Sequence, residues 1–106
     1  MKETAGNMSK QLKTVIFSDE ECVVKIFAYR NKRKAIQLTV KETGEPMAMA
    51  SVNIPEIEMS EDEVAIKDYA ENKGVLMALV AANVISAPVR FATNGIIRIP
   101  ICKIVA

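Results

Sequence analysis

The first half of the chain alternates short apolar runs, rich in β-branched residues, with polar turns. In the clearest run, Ile36, Leu38 and Val40 recur at every second position, the period at which side chains share one face of a strand. Such runs, separated by turn signals, are typical of antiparallel hairpins. The pattern predicts four strands in this half, over residues 14–17, 22–29, 35–40 and 47–54.

The second half contains one segment with helical character. Asn72 is a residue type that caps helix N-termini, and Asp68 and Glu71 lie where negative charge favours the positive end of a helix. We expect a helix over about residues 73–83, because Pro88 excludes a much longer one. Strands are predicted on both sides of this helix, over residues 64–66, 89–92 and 96–105.

Several short strands with one helix predict an α+β fold, in which a mostly antiparallel β-sheet of short strands and hairpins packs against a single α-helix. Asn94 followed by Gly95 is the strongest hairpin signal of the chain, and Pro100 predicts that the strand after it lies at a sheet edge or contains a bulge. The first twelve residues are polar and lack periodicity. We therefore predict a flexible N-terminal tail over residues 1–12 and one α+β domain over residues 13–106.

The inventory of reactive residues argues against catalysis. There is no histidine among the 106 residues, which removes the most common general base and zinc ligand. The four glycines form no phosphate-binding loop, and no nucleophile lies in a recognisable catalytic motif. We therefore expect a protein that is not an enzyme, with no catalytic residue, no cofactor and no bound metal.

The cysteines and the N-terminus indicate a cellular compartment. Cys22 and Cys102 are far apart and lie beside β-branched residues, which favours buried free thiols over a disulfide. The N-terminus lacks the apolar region of a secretory signal, and the longest apolar run, residues 74–82, is too short to cross a bilayer. We expect a cytoplasmic protein that does not bind membranes.

The formal net charge of +1 hides a strong segregation of charge along the chain. Residues 22–41 contain six basic and no acidic residues, residues 42–71 contain nine acidic residues and one lysine, and residues 72–106 contain four basic and no acidic residues. Near-neutrality argues against attraction of the whole molecule to duplex DNA. Blocks of opposite charge nevertheless allow local recognition of a charged partner.

The acidic block lies in the connector between the fourth and fifth predicted strands. It can attract a basic partner, and the alternative is a solvated connector without a binding role. Its spacing does not match a calcium-binding loop, which alternates Asp or Asn around a central Gly. The candidate acidic surface consists of Glu56, Glu58, Glu61, Asp62 and Glu63.

The basic block lies at a predicted hairpin tip, where Asn31 is expected to adopt the left-handed conformation of a turn. Basic side chains can grip phosphates, but Tyr29 is the one aromatic residue nearby, and nucleic-acid modules usually add several. A solvated tip is the alternative. The candidate basic tip consists of Arg30, Lys32, Arg33 and Lys34.

The predicted helix has no polar face between residues 74 and 82, although a helix on a single sheet ordinarily keeps one side in water. Either the sheet and loops of the same chain cover both sides, or a second copy or partner covers the outer face. Methionine and small residues suit a close or adaptable contact. We expect a homo-oligomer, most simply a dimer, whose contact face is formed by Met77, Ala78 and Ala81.

Four segments carry a resemblance to a known family: residues 14–17, residues 35–38, residues 66–72 with the sequence IKDYAEN, and residues 99–103 with the sequence IPICK. On these segments the sequence resembles, over about residues 13–104, a family of small uncharacterised proteins encoded by bacteriophages and other mobile elements. The resemblance implies neither an activity nor catalytic residues. The basic hairpin tip and the absence of acidic residues on the helix depart from the family pattern.

These observations lead to an expected function. We expect a non-enzymatic binding protein of a phage or mobile element, one that blocks a host protein or sequesters a small ligand. The alternative is weak nucleic-acid binding through the basic tip. Near-neutral charge and few aromatic residues make nucleic acid the less favoured partner.

Overall fold

The structure is a computed structural model that describes residues 10–105, with side chains described for residues 13–93 and 95–105. Residues 1–9 of the predicted tail lie outside the described residues. The described part has the predicted α+β fold, with mostly antiparallel strands and one α-helix. Its elements are β1 (Lys10–Phe17), β2 (Glu20–Ala28), β3 (Lys34–Val40), β4 (Pro46–Met49), β5 (Glu63–Ala65), a 3-10 turn (Ala70–Asn72), α1 (Val75–Ala81), β6 (Arg90–Asn94) and β7 (Ile97–Lys103).

The strands form two antiparallel sheets. The first has the strand order β1-β2-β3-β4, and the second has the order β5-β7-β6. A bridge between Ser51 and Ile66 connects the end of the first sheet to the second, and the Val52 N–H donates to the Ala65 carbonyl at 3.0 Å. Helix α1 packs beside β1. This connection leaves β1 and β6 as the outermost of the described strands.

Two apolar clusters fill the interior. The larger one joins the inner face of the first sheet to α1, through side chains such as Leu38 and Leu79, and also contains Cys102 of β7. The smaller one contains Ile99 and Ile101 of β7 and is covered by connector residues that include Ile54. Because successive side chains of a strand point to opposite faces, β7 contributes to both clusters. The second sheet therefore lies between them.

The first hairpin is confirmed, with a turn of two residues. Ser18 and Asp19 have φ of 55° and 64°, the left-handed pair that matches the twist of the flanking strands. Strand β1 begins at Lys10, three residues before the predicted start of the domain, since Lys10 pairs with Ile26 of β2. Part of the predicted tail is therefore strand.

Strand β4 ends at Met49, five residues earlier than predicted. The Ala50 N–H still donates to the Ile36 carbonyl at 2.8 Å, but the Ala50 carbonyl accepts from the Lys67 N–H at 2.8 Å. The chain thus leaves β3 at this point and exchanges hydrogen bonds with the second sheet. The prediction of one strand over residues 47–54 was wrong, because the backbone changes its hydrogen-bonding partner from β3 to the second sheet.

Helix α1 begins at Val75, and the predicted cap at Asn72 is wrong. Asn72 is buried in the 3-10 turn, where its Nδ2 donates to the Met49 carbonyl at 2.6 Å. The residue before the helix is Gly74, whose φ of 99° is a conformation that favours glycine. The carboxylate of Asp68 takes the capping role, because its Oδ1 accepts from the N–H groups of Gly74 and Leu76 at 3.0 Å each.

The C-terminal end of α1 is held by a side chain from β1. The Lys13 Nζ donates to the carbonyls of Ala82 and Asn83 at 3.0 and 3.3 Å. A cation at this end also interacts favourably with the helix dipole. Asn83 has φ of 60°, which ends the helix before the predicted residue 83.

Strand β7 is the central strand of the second sheet, so the prediction that Pro100 marks an edge or a bulge is wrong. The Pro100 carbonyl accepts from the Ile66 N–H at 3.0 Å, beyond Ala65, the last residue of β5. The nitrogen of a strand residue points to the same side as its carbonyl. Pro100 therefore has no N–H to donate back to Ile66, and because β5 ends at Ala65 the missing hydrogen bond falls at the end of that ladder.

Candidate functional site

The outer face of α1 is open to solvent. Val75 and Leu79 are buried in the larger cluster, whereas 76% of Met77 is exposed and Ala81 is exposed. Ala78, at the side of the helix, is half-buried. A seven-residue apolar helix can bury only the stripe that faces the sheet, because the side chains point around the whole circumference. The described part of the chain therefore does not cover Met77 and Ala81.

Two shallow grooves flank the exposed face of α1 and share Ala81. One, of about 360 Å³, is lined by Leu76, Met77, Val80, Ala81, Ala87 and Pro88. The other, of about 420 Å³, lies between α1 and β1 and is lined by Thr14, Val15, Ile16, Glu21, Ala78, Ala81 and Ala82. In the second groove, 65% of Ile16 is exposed. We call the apolar members of both grooves that reach the surface the α1 surface: Ile16, Leu76, Met77, Ala78, Val80, Ala81, Ala82, Ala87 and Pro88.

Glu63 does not lie at the surface with the other members of the candidate acidic surface. This residue is buried, with 7% of its surface exposed, and its Oε1 accepts from Arg90 at 2.8 Å and from the Ser60 N–H at 2.9 Å. The hydrogen bond from Arg90 is the main cause that lowers the pKa of Glu63, and the Ser60 N–H adds to it. Glu63 therefore stabilises the fold and is not available to a partner.

The other acidic residues of the connector do lie at the surface. Glu56, Glu58 and Glu61 are exposed, and Asp62 is 3.9 Å from the Lys103 ammonium. Among the residues that the structure describes, no three His, Cys, Asp or Glu side chains come close enough together to hold a metal ion. The four carboxylates are spread over the surface and do not form a ligand cluster.

In the candidate basic tip, Arg33 likewise differs from the other members, because its side chain is bonded within the chain. Its guanidinium donates to the carbonyls of Ile57 at 2.5 Å, Ile54 at 3.4 Å and Pro55 at 3.5 Å. The tip turns at Lys32, which has φ of 72°, and the predicted left-handed conformation at Asn31 is wrong. The Asn31 side chain instead accepts from the Arg33 N–H at 3.2 Å and donates to Asn53.

The exposed charges left at the tip are those of Arg30 and Lys32, with Lys34 half-buried at the start of β3. The tip and the acidic connector, which the sequence separates into two candidate surfaces, are in contact through Arg33. Oppositely charged blocks meet here instead of forming two independent faces.

A cleft of about 650 Å³ lies at this junction. Its lining is polar and carries both signs of charge: Arg33, Glu58, Met59, Ser60, Glu63 and Arg90. Arg33 donates to connector carbonyls, and Arg90 donates to Glu63 and to the Glu58 carbonyl at 2.7 Å. The guanidinium groups thus hold the connector in place. With the charges balanced in this way, the cleft has no excess positive charge with which to attract an anion.

The hairpin between β6 and β7 carries exposed apolar residues that sequence reasoning missed. Ile96 is fully exposed, Phe91 and Ile97 are partly exposed, and the Arg98 guanidinium lies 4.2 Å from the centre of the Phe91 ring. The signal in the sequence was the apolar pair directly after the Asn94-Gly95 turn, where a core strand does not ordinarily begin.

The cysteines are free and buried, as predicted. Burial raises the pKa of Cys102 to about 11, and burial, followed by the charge of Glu20, raises the pKa of Cys22. Neither thiol is placed to act as a nucleophile, since the thiolate is the reactive form.

In the described part of the chain, none of the helical structure is long and apolar enough to span a membrane.

The comparisons with known proteins found no relative of this chain. No family model, no curated protein and no solved structure matches it.

Proposed function

We propose that the protein is a non-enzymatic binding protein of the cytoplasm that binds a protein partner through the α1 surface. The observation that carries the proposal is the exposure of Met77, on an apolar helix face with a groove on each side. Large contiguous apolar surfaces on folded domains are typical of binding sites. Burying a methionine of this kind contributes about 1.5–3 kcal/mol to binding.

The chemistry of the α1 surface favours a protein over a small molecule. The groove beside Met77 is lined almost wholly by apolar side chains, and it lacks the few convergent polar groups that orient a small ligand. Methionine adapts its shape to a partner, and alanines such as Ala81 allow a close approach of a second backbone. The resemblance to proteins of mobile elements supports a host protein as the partner.

A capture experiment with matched variants tests this proposal. The tagged protein and its Met77→Lys variant are incubated with host lysate at moderate salt. The control is Ile96→Lys, which places the same charge on an exposed apolar residue outside the α1 surface. We expect one partner to be retained by wild type and Ile96→Lys and lost with Met77→Lys, and the purified partner to show the same order of affinities. Equal capture by all three proteins would contradict the proposal.

The exposed carboxylates are a second possible contact of that same partner. A Glu56/Glu58/Glu61→Lys variant therefore accompanies the Met77 variant in the capture experiment. If this triple variant loses the partner and Met77→Lys retains it, the partner binds the acidic connector and not the α1 surface.

The alternative function is weak nucleic-acid binding through the basic tip, and Arg30, Lys32 and Lys34 support it. With three cations, the logarithm of the affinity should fall with the logarithm of salt concentration with a slope of about −2 to −3. Fluorescence anisotropy with single-stranded and duplex oligonucleotides at two salt concentrations measures this slope. A flat response, or one that an Arg30/Lys32→Ala variant leaves unchanged, would eliminate the alternative.

A further inference from the structure

Strand β1 has an outer edge that is not paired with any other strand in the described part of the chain. The first sheet has the order β1-β2-β3-β4, and its other end is continued toward the second sheet by the Ser51–Ile66 bridge. Among the described strands, only β2 pairs with β1. An open edge presents backbone N–H and C=O groups that can pair with a further strand.

The edge lacks the usual protection over residues 14–17. The register shift between Gln11 and Thr14 interrupts the regular pairing with β2 on the N-terminal side, and the turn at Ser18 ends it on the other. The residues between them include neither a charged residue nor a proline, the two kinds that commonly block an edge. Lys13 donates to carbonyls of its own chain.

The space beside this edge has room for a second backbone. The groove of about 420 Å³ between β1 and α1 is bordered on the helix side by Ala78, Ala81 and Ala82. Small side chains of this kind permit close approach. Ile16, at the strand side, is 65% exposed and supplies apolar contact.

The charges at the two ends of the edge identify the occupant. Lys13 is exposed at the N-terminal end, and Asp19 and Glu20 are exposed at the C-terminal end. If two copies of β1 pair antiparallel, the basic end of each lies beside the acidic end of the other. Parallel pairing would place like charges together. The edge is therefore complementary to itself in the antiparallel arrangement, which is what a two-fold dimer requires.

We propose that two copies of this chain pair through their β1 edges over residues 14–17, antiparallel and around a two-fold axis. The two first sheets become one continuous sheet, and the Ala78 and Ala81 side of each α1 borders the seam. This deepens the proposed function, because it assigns the β1 side of the α1 surface to a second copy and leaves the Met77 groove to a different partner.

A charge-exchange experiment tests the pairing. Lys13→Glu makes both ends of the edge acidic, and Asp19→Asn/Glu20→Lys makes both ends basic. By sedimentation equilibrium at about 50 µM we expect the wild type to be a dimer and each variant to self-associate at least about tenfold more weakly. An equimolar mixture of the two variants should form a heterodimer with an affinity close to that of the wild type, because each opposite pair is restored.

The mixture also separates loss of pairing from loss of folding, since a variant that fails to fold cannot be rescued by its partner. Glu42→Lys/Glu45→Gln, an equal charge change on an exposed turn, serves as the control and should dimerise normally. A monomeric wild type, unchanged dimers of the two variants, or a mixture that stays monomeric would overturn the pairing. The proposed function is tested separately by whether Met77→Lys loses the captured partner.

Discussion

At the scale of single residues, the buried Glu63 side chain makes two hydrogen bonds that its position in the sequence does not indicate. Glu63 belongs by sequence to an acidic run, yet its side chain is almost wholly removed from water and bonded to Arg90 and the Ser60 N–H. A buried carboxylate needs such partners, because burial without them disfavours the charged form. The ion pair therefore joins the end of the connector to β6.

The pH dependence of stability should report on Glu63. Its pKa in the folded protein is lowered from a value of about 4.3 in the unfolded chain, so its contribution is complete above that value and is lost as the pH falls through the folded pKa. We expect Glu63→Gln to lower the unfolding free energy at pH 7 by about 1.5–3 kcal/mol and to flatten the acid limb of the stability profile. Urea denaturation between pH 7 and pH 3 measures both effects.

Glu61→Gln is the matched control for this measurement, because Glu61 is exposed in the same connector. It should leave both the stability at pH 7 and the acid limb within about 0.5 kcal/mol of wild type. An acid limb that keeps its full slope in Glu63→Gln would show that other carboxylates are responsible.

Thiol modification should report on Cys102. Burial raises the pKa of its thiol to about 11, so the reactive thiolate is scarce near neutral pH. In a Cys22→Ala variant at pH 8, we expect Cys102 to react at least about 100-fold more slowly with an aromatic disulfide reagent than an unfolded peptide thiol does. Addition of denaturant should abolish the difference. Rapid reaction in the native state would mean that β7 opens readily.

At the scale of elements, α1 is a short helix whose two ends are held by side chains from outside the helix. Asp68, seven residues before Val75, accepts from the first N–H groups, and Lys13 of β1 donates to the last carbonyls. A seven-residue helix has little intrinsic stability in water, so these contacts and the burial of Leu79 stabilise it. The outer face can remain apolar because it does not contribute to this anchoring.

Removal of the cap should weaken α1 in a graded way. We expect Asp68→Ala to lower the unfolding free energy by about 0.5–2 kcal/mol, because two N–H groups lose their acceptor. Asp68→Asn keeps an acceptor oxygen and should cost less. Glu71→Ala is the control, since Glu71 is exposed and forms a surface ion pair with the Lys67 ammonium. Urea unfolding followed by circular dichroism measures these changes, and equal losses for all three variants would contradict the capping role.

At the scale of the whole molecule, charged residues that are segregated along the sequence make contacts that hold distant segments together. Arg33, from the basic block, donates to three carbonyls of residues 54–57, and Arg90, from the acid-free third of the chain, bonds to the Glu58 carbonyl and Glu63. These contacts hold the connector over the smaller cluster, where Ile54 packs on β7. The net charge of +1 thus includes opposite charges that meet at one junction.

Two neighbouring arginines should differ in their effect on this junction. We expect Arg33→Ala to lower the unfolding free energy by about 1.5–3 kcal/mol, because three connector carbonyls, two of them in part-buried hydrogen bonds, lose a charged donor. Arg30→Ala, at an exposed position of the same tip, should change it by less than about 0.5 kcal/mol. The midpoints of urea denaturation compare the two variants. Equal effects would mean that the tip contributes through its total charge rather than through the Arg33 contacts.

The sequence by itself determined the fold class, the strands with clear alternation, the first hairpin and the apolar character of the helix. These properties depend on residues near one another in the chain: alternation at every second position places Ile36 and Leu38 in the core, and the polar pair Ser18-Asp19 suits a tight turn. Local periodicity and turn chemistry suffice for such features.

Only the tertiary structure decided which charged residues are available to a partner and where elements end. Glu63 and Arg33 were candidates for recognition, and both are held by residues 21 or more positions away. β4 ends where its backbone finds the second sheet, and Asp68 caps α1 because Asn72 is bonded to Met49. The physical reason is that a hydrogen bond between distant segments depends on how they pack, which no local pattern encodes, whereas the exposed apolar face of α1 remains when that packing is complete.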